Sequence, residues 1–169
     1  MTDRERPRVL VAAVGNPDRG DDGIGPAVAG RLKGWVPNGV RVVERRGDVL
    51  SLIEEWQGFA AVILVDAAAP AGRPGRIHRL DLSCRPLPDG FANGSTHALG
   101  LGEAVELARH LQRLPRRVIA YLVEGEGFGV GEPLSPAAAA AIDPVVARIC
   151  AEFAVEPVRR RAEGAPGDA

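Results

Sequence analysis

Lysine is almost missing from this chain: of its 21 basic residues, only Lys33 is not an arginine. We read this as a compositional bias towards Arg and Ala, not as an arginine-specific chemistry. Net charge is scarce too, at −1, so there is no bulk electrostatic pull towards nucleic acid or an anionic membrane. Cysteine occurs only at Cys84 and Cys150, too few and too far apart for a disulfide scaffold or a zinc cluster. No apolar run approaches the roughly 20 residues of a membrane span. The opening Met1-Thr2-Asp3-Arg4-Glu5-Arg6-Pro7 is charged and has no leader-like hydrophobic region. These absences lead us to expect a cytoplasmic protein that neither inserts into membranes nor binds nucleic acid. The common catalytic signatures are missing as well: there is no G-x-S-x-G elbow, no H-E-x-x-H helix and no Walker A loop. Neither the first glycine-rich loop nor Gly125–Gly131 fits G-x-G-x-x-G. Ser95 lies two residues from His97, but closeness in sequence does not present a base to a nucleophile.

What is present describes one globular domain. The chain has 169 residues, 46% hydrophobic and 25% charged, enough for a sizeable core. We place the domain at residues 1–158 and read the Arg-, Gly- and Pro-rich stretch 159–169 as a disordered tail. Arg8–Val14, Ala60–Asp66 and Arg117–Val123 are short apolar runs rich in β-branched residues, as in strands covered on both faces. Val40–Glu44 is a shorter strand, and Arg76–Leu82 an edge strand or hairpin arm. Helical spacing marks Gly25–Lys33, Asp48–Trp56 with Asp48 as N-cap, and Ala98–Leu111. A last helix starts with Ser135 as N-cap and Pro136 at its first position, and Pro144 should kink or break it near Asp143. Strands alternating with helices indicate an α/β sandwich with a mostly parallel sheet. In such folds ligands bind at the carboxyl ends of the strands, so chemistry is expected just after Val14, Asp66 and Val123.

The first strand runs into Gly15-Asn16-Pro17-Asp18-Arg19-Gly20-Asp21-Asp22-Gly23-Ile24-Gly25. Helix capping explains one of its two adjacent carboxylates, Asp21 and Asp22, better than both, since like charges side by side are costly unless a cation or proton neutralises them. Asp66 closes the next central strand, where it either caps a turn, pairs with an arginine or serves the chemistry. His97 opens a helix behind a polar loop; His78 and His110 have weaker settings. If Asp22, Asp66 and His97 converge, two carboxylates and an imidazole make an incomplete site for a divalent transition metal with positions left open. A nucleotide- or phosphate-binding enzyme using the first loop as an anion site is a rival that the paired carboxylates oppose.

Four segments in this order resemble the nickel-dependent hydrogenase maturation proteases, over nearly all of Arg8–Val155. They are VLVAAVGNPDRGDDGIGPAVAGRL, VILVDAA, STHALGLGEAVELA and VEGEGFGVGEPLSPAAAAAI. The resemblance implies a three-layer α/β/α sandwich around a five-stranded, mostly parallel twisted sheet. It also implies an endopeptidase that removes the C-terminal extension of a [NiFe] hydrogenase large-subunit precursor after nickel insertion. Asp22, Asp66 and His97 would contact nickel supplied by the precursor, with Asp21 as an accessory acid or base, in a protein acting as a monomer. A non-proteolytic, nickel-binding assembly chaperone is the alternative on the same scaffold. One departure concerns the stretch after the second strand. The family often has a Gly-Gly-Thr type segment there, whereas this chain has Glu44-Arg45-Arg46-Gly47-Asp48. Arg45 and Arg46 are either a substrate-specific surface or a solvated loop.

Overall fold

The computed structural model describes residues 8–48, 50–92 and 96–155, without the side chains of 92, 96–99, 154 and 155. The tail expected over 159–169 lies outside the described residues. Five strands, β1 (Val9–Val14), β2 (Val40–Arg45), β3 (Ala61–Ala68), β4 (Ile77–Asp81) and β5 (Arg117–Glu124), form one sheet in the order β2-β1-β3-β5-β4. All neighbours are parallel except β4, which runs antiparallel to β5. The helices are α1 (Ile24–Leu32), α2 (Ser51–Glu55), the single turn α3 (Asp89–Ala92), α4 (Thr96–His110) and α5 (Pro136–Val155).

Strand alternation builds a core on each side of the sheet. Leu10, Ala12, Val14, Val62 and Leu64 face Leu52, Ile53 and Trp56 around α2, and Leu101, Ala104, Val105 and Ala108 of α4. Val11, Ala13, Ile63, Val65, Ile119 and Tyr121 face Ile24, Val28 and Leu32 of α1, and Ala141, Val145 and Ile149 of α5. The expected three-layer α/β/α sandwich with a mostly parallel, five-stranded sheet is therefore what forms. Among the described residues, no helix is long and apolar enough to cross a membrane.

The structure departs from the sequence expectations in three places. β3 runs two residues past Asp66, because Ala67 and Ala68 pair with Val123 and Glu124 of β5. Asp66 is thus a buried carboxylate inside a strand. α2 is shorter than Asp48–Trp56 and its N-cap position falls on Leu50 instead of Asp48, whose Oδ1 still accepts the Ser51 N–H at 3.2 Å just ahead of the helix. Pro144 does not break α5, which is one helix of 20 residues. The buried stripe Ala138, Ala141, Val145, Ile149 passes on both sides of the proline. Pro144 and Ala140, whose carbonyl loses its helical donor, both lie on the exposed side, where water can replace that bond.

Helix α1 enters the sheet very closely. A Cβ at Gly25 would lie 2.4 Å from the Val14 carbonyl oxygen and 3.1 Å from that of Val65. Gly25→Ala is therefore expected to lower stability by about 1–3 kcal/mol through overpacking against backbone that cannot yield. A urea midpoint equal to wild type would refute this close approach.

Candidate active site

The strand order reverses between β1 and β3: from β1 the chain goes out to β2, then returns to β3 on the other side. Such a switch point opens a crevice at the carboxyl ends of the strands, where α/β proteins bind their ligands. Asp22 and Asp66 stand on its two sides. β1 ends at Val14 and enters the loop Gly15–Arg19, followed by a 3₁₀ turn, Gly20–Gly23, that leads into α1. Gly15 has φ +145°, and a Cβ there would lie 2.0 Å from the Asp22 carbonyl oxygen. Only glycine lets the loop fold back so tightly. The turn is held by Asn16, whose Oδ1 accepts the Asp18 N–H at 3.0 Å and whose own N–H donates to Asp22 Oδ2 at 2.8 Å. Neither Asp21 nor Asp22 caps α1 with its side chain.

Asp66 is fully buried. Its parity along β3 matches Val62, Leu64 and Ala68, so it belongs to the face covered by α2 and α4. Oδ1 accepts the N–H of Ala67 at 2.7 Å. Oδ2 is buried with no hydrogen-bond partner among the described residues. Loss of water pushes its carboxyl well above the ordinary range; the Ala67 N–H opposes this and the nearby Asp22 charge adds to it. A buried carboxylate oxygen lacking a donor among the described residues, beside a second carboxylate, has the chemistry of a cation ligand. The donor set thus fits a divalent metal. His97 lies in the first turn of α4, on the same face of the sheet as Asp66, but its side chain is outside the described residues. Among the described residues, no group of three His, Cys, Asp or Glu side chains is placed to hold a metal.

Asp21 lives in different surroundings from its neighbour. It is buried, and its oxygens collect four donors: the Ser135 N–H (2.7 Å) and hydroxyl (2.8 Å), and the N–H groups of Glu126 (2.7 Å) and Gly127 (3.4 Å). Burial alone would raise its pKa, but these donors outweigh burial and hold the carboxyl below its usual range. These are the surroundings of a structural carboxylate more than of an accessory acid or base.

The two arginines after β2 divide. Arg45 pairs with Glu55 and donates to the Glu44 carbonyl at 2.7 Å, so it ties β2 to α2. Arg46 reaches Asp18 in the β1-exit loop at 3.3 Å while staying largely exposed. The remaining histidines have local roles: His78 packs edge-on against Phe91, with ring centroids 4.8 Å apart, and His110 Nδ1 meets the Glu106 carbonyl at 2.8 Å. Cys84 and Cys150 are both free thiols.

Sequence inspection overlooked Glu124, buried at the end of β5, whose Oε1 accepts the N–H groups of Ala71 and Arg73, each at 2.6 Å. It fixes the loop that leaves β3 just beyond Asp66. A charged residue closing an otherwise apolar run was the available signal.

Fold and site together define an α/β protein that gathers buried carboxylates at its switch point. The chain belongs to the hydrogenase maturation protease family (HycI), which it matches over residues 28–152, and its activity is that of a hydrogenase maturation endopeptidase, a peptide-bond hydrolase. Among solved structures it is similar to an endopeptidase from Escherichia coli, with TM-score 0.76 and 24% identity, covering 86% of this chain and 91% of that one. It is also similar to the hydrogenase maturating endopeptidase HybD from E. coli, with TM-score 0.73 and 22% identity over 87% and 92% of the two chains. A hydrogenase 2 maturation peptidase from a Thaumarchaeota archaeon shows TM-score 0.64 and 26% identity over 88% and 99%. No curated protein matches the chain.

Proposed function

We propose that this chain removes the C-terminal extension of a [NiFe] hydrogenase large-subunit precursor once nickel has been inserted, and that it recognises the nickel as part of its substrate. The observation that carries this reading is Asp66: a fully buried carboxylate with one oxygen lacking a hydrogen-bond partner among the described residues, beside Asp22 at the switch point. Asp22, Asp66 and His97 are the residues we assign to the precursor's metal. Two hard oxygen ligands and an imidazole suit a first-row divalent ion. Engaging a metal fixed in the precursor positions the scissile peptide bond against the enzyme. In this reading the protein is a cytoplasmic monomer.

The test uses two forms of the precursor. Wild-type enzyme is expected to shorten the nickel-loaded form, seen as a mobility shift, and to leave the nickel-free form intact. His97→Ala is expected to leave both intact. Equal cleavage of the two forms by wild type would remove nickel recognition from the proposal, and a stable complex without cleavage would point to a chaperone.

A further inference from the structure

The segment after β5, Gly125–Ser135, contains glycine at 125, 127, 129 and 131, a composition that by itself gives a loosely defined loop. The fold staples it to the β1-exit loop. The Asp21 N–H donates to the Gly127 carbonyl (2.8 Å), the Gly20 N–H to that of Glu132 (3.0 Å), and the Gly131 N–H to that of Asp18 (2.7 Å). The Asp21 carboxylate adds its four bonds to Glu126, Gly127 and Ser135. The two backbones touch: Gly20 has φ +54°, and a Cβ there would sit 2.5 Å from the Gly127 oxygen. On this pinned segment Val130 is 82% exposed. Next to it, Asp18 is paired through its carboxylate with Arg46, and the chain beyond Arg46 leads to Leu50, 57% exposed. A rim with exposed apolar side chains thus follows the carboxyl edge of the sheet, the edge that carries Asp22.

We propose that the Val130 segment is a docking ledge for the precursor polypeptide beside its scissile end, and that Asp21 is the positioning residue that holds this ledge in register with Asp22. The inference rests on the precursor-processing reading above. An endopeptidase has to hold the chain flanking the bond it cuts, and the ledge is bonded to Asp21, the chain neighbour of Asp22. An apolar side chain fixed in advance binds without the entropy cost of ordering a loop. Val130 contributes little to the core, and the occupant it fits is an apolar side chain of the precursor. Asp21 is bonded to the ledge through its carboxylate and to Asp22 through the chain, so a change there shifts one relative to the other.

The test measures cleavage of nickel-loaded precursor by Val130→Asp, Asp21→Asn and the double variant. Val130→Asp is expected to raise KM about tenfold with kcat and Tm unchanged, the pattern of lost substrate binding. Asp21→Asn is expected to raise KM similarly and to lower Tm while kcat at saturation is kept. In the double variant the KM increase should be smaller than the product of the single effects, because both act through one ledge. Wild-type cleavage with an unchanged KM in Val130→Asp overturns the ledge alone, as do fully independent effects in the double variant. If wild type does not cleave the loaded precursor, the processing reading fails and the ledge falls with it. Should Asp21→Asn fail to fold, the KM of Val130→Asp decides.

Discussion

Asp66→Asn is expected to slow precursor processing by on the order of a hundredfold or more, a ligand's loss exceeding that of an outer-shell partner, and at the same time to stabilise the protein. Asp66 has no exposed surface, and its Oδ2 has no hydrogen-bond partner among the described residues. An ionised carboxylate held there forfeits hydration that the Ala67 N–H replaces only in part. Asparagine has nearly the same shape. Its oxygen can still accept the Ala67 N–H, and its amide can donate towards the neighbouring Asp22 carboxylate, removing the like-charge contact that acts on Asp66. We expect a gain of about 1–2 kcal/mol at neutral pH, typical of relieving an active-site liability. Urea unfolding and a processing assay on the same preparation test this. A variant that loses stability together with activity would make Asp66 a structural carboxylate, and one that processes normally would remove it from the site.

The parts of this fold that sequence reading found are those whose signal is local. β1, β3 and β5 are continuous apolar runs because both faces of the sheet are covered, and such runs are hard to mistake. The end of β3 was misplaced because Ala67 and Ala68 continue the strand only by pairing with Val123 and Glu124, more than 50 residues away. Asp21 and Asp22 are adjacent and chemically identical, so no pattern separates them. The 3₁₀ turn does so, sending one carboxylate to Ser135, at a separation of 114 residues, and the other back to Asn16. His97 was legible as a helix-opening histidine, and its assignment to the metal remains a proposal drawn from that position. The Glu152 cluster was invisible for the same reason as Asp21's partners. Glu152 lies on a helix whose spacing reads simply as an apolar stripe, and its partners come from β4 and β5.

That cluster supplies the largest stability effect we expect. Glu152, on α5, receives the Arg79 Nε (2.6 Å) and Nη2 (3.3 Å), the Arg117 Nη2 (2.6 Å) and the Tyr121 hydroxyl (2.6 Å). One carboxylate thereby fastens the last helix to β4 and β5. Its influence shows in its neighbours: burial and then the Glu152 bond push the Tyr121 phenol up to about 12. Glu152→Ala leaves the buried phenol without this acceptor and takes one carboxylate from beside two guanidinium groups, which keep the Asp81 charge near them. Removing one partner of a fully buried pair costs about 3–5 kcal/mol. The Arg79 side chain is 41% exposed and the Arg117 side chain 26%, and water screens part of that loss, so we expect about 2–4 kcal/mol. The pH dependence has a definite sign. The Arg79 hydrogen bond, against the opposing effect of burial, holds the Glu152 carboxyl below its ordinary range. Its contribution is therefore complete above the unfolded glutamate's pKa, about 4.3, and is lost as pH falls through the lower folded value. Wild type should lose stability on acidification below about pH 4.3 more steeply than Glu152→Gln, in which this group cannot titrate. Parallel stability curves for the two proteins in that range would disprove the linkage. Tyr121 pairs in register with Val65 but faces α1 and α5, whereas Asp66 faces α2 and α4, so the sheet itself stands between the cluster and Asp66. Both Glu152 variants should accordingly process the precursor at the wild-type rate per folded molecule, which separates a defect in holding the sandwich together from a defect in the site.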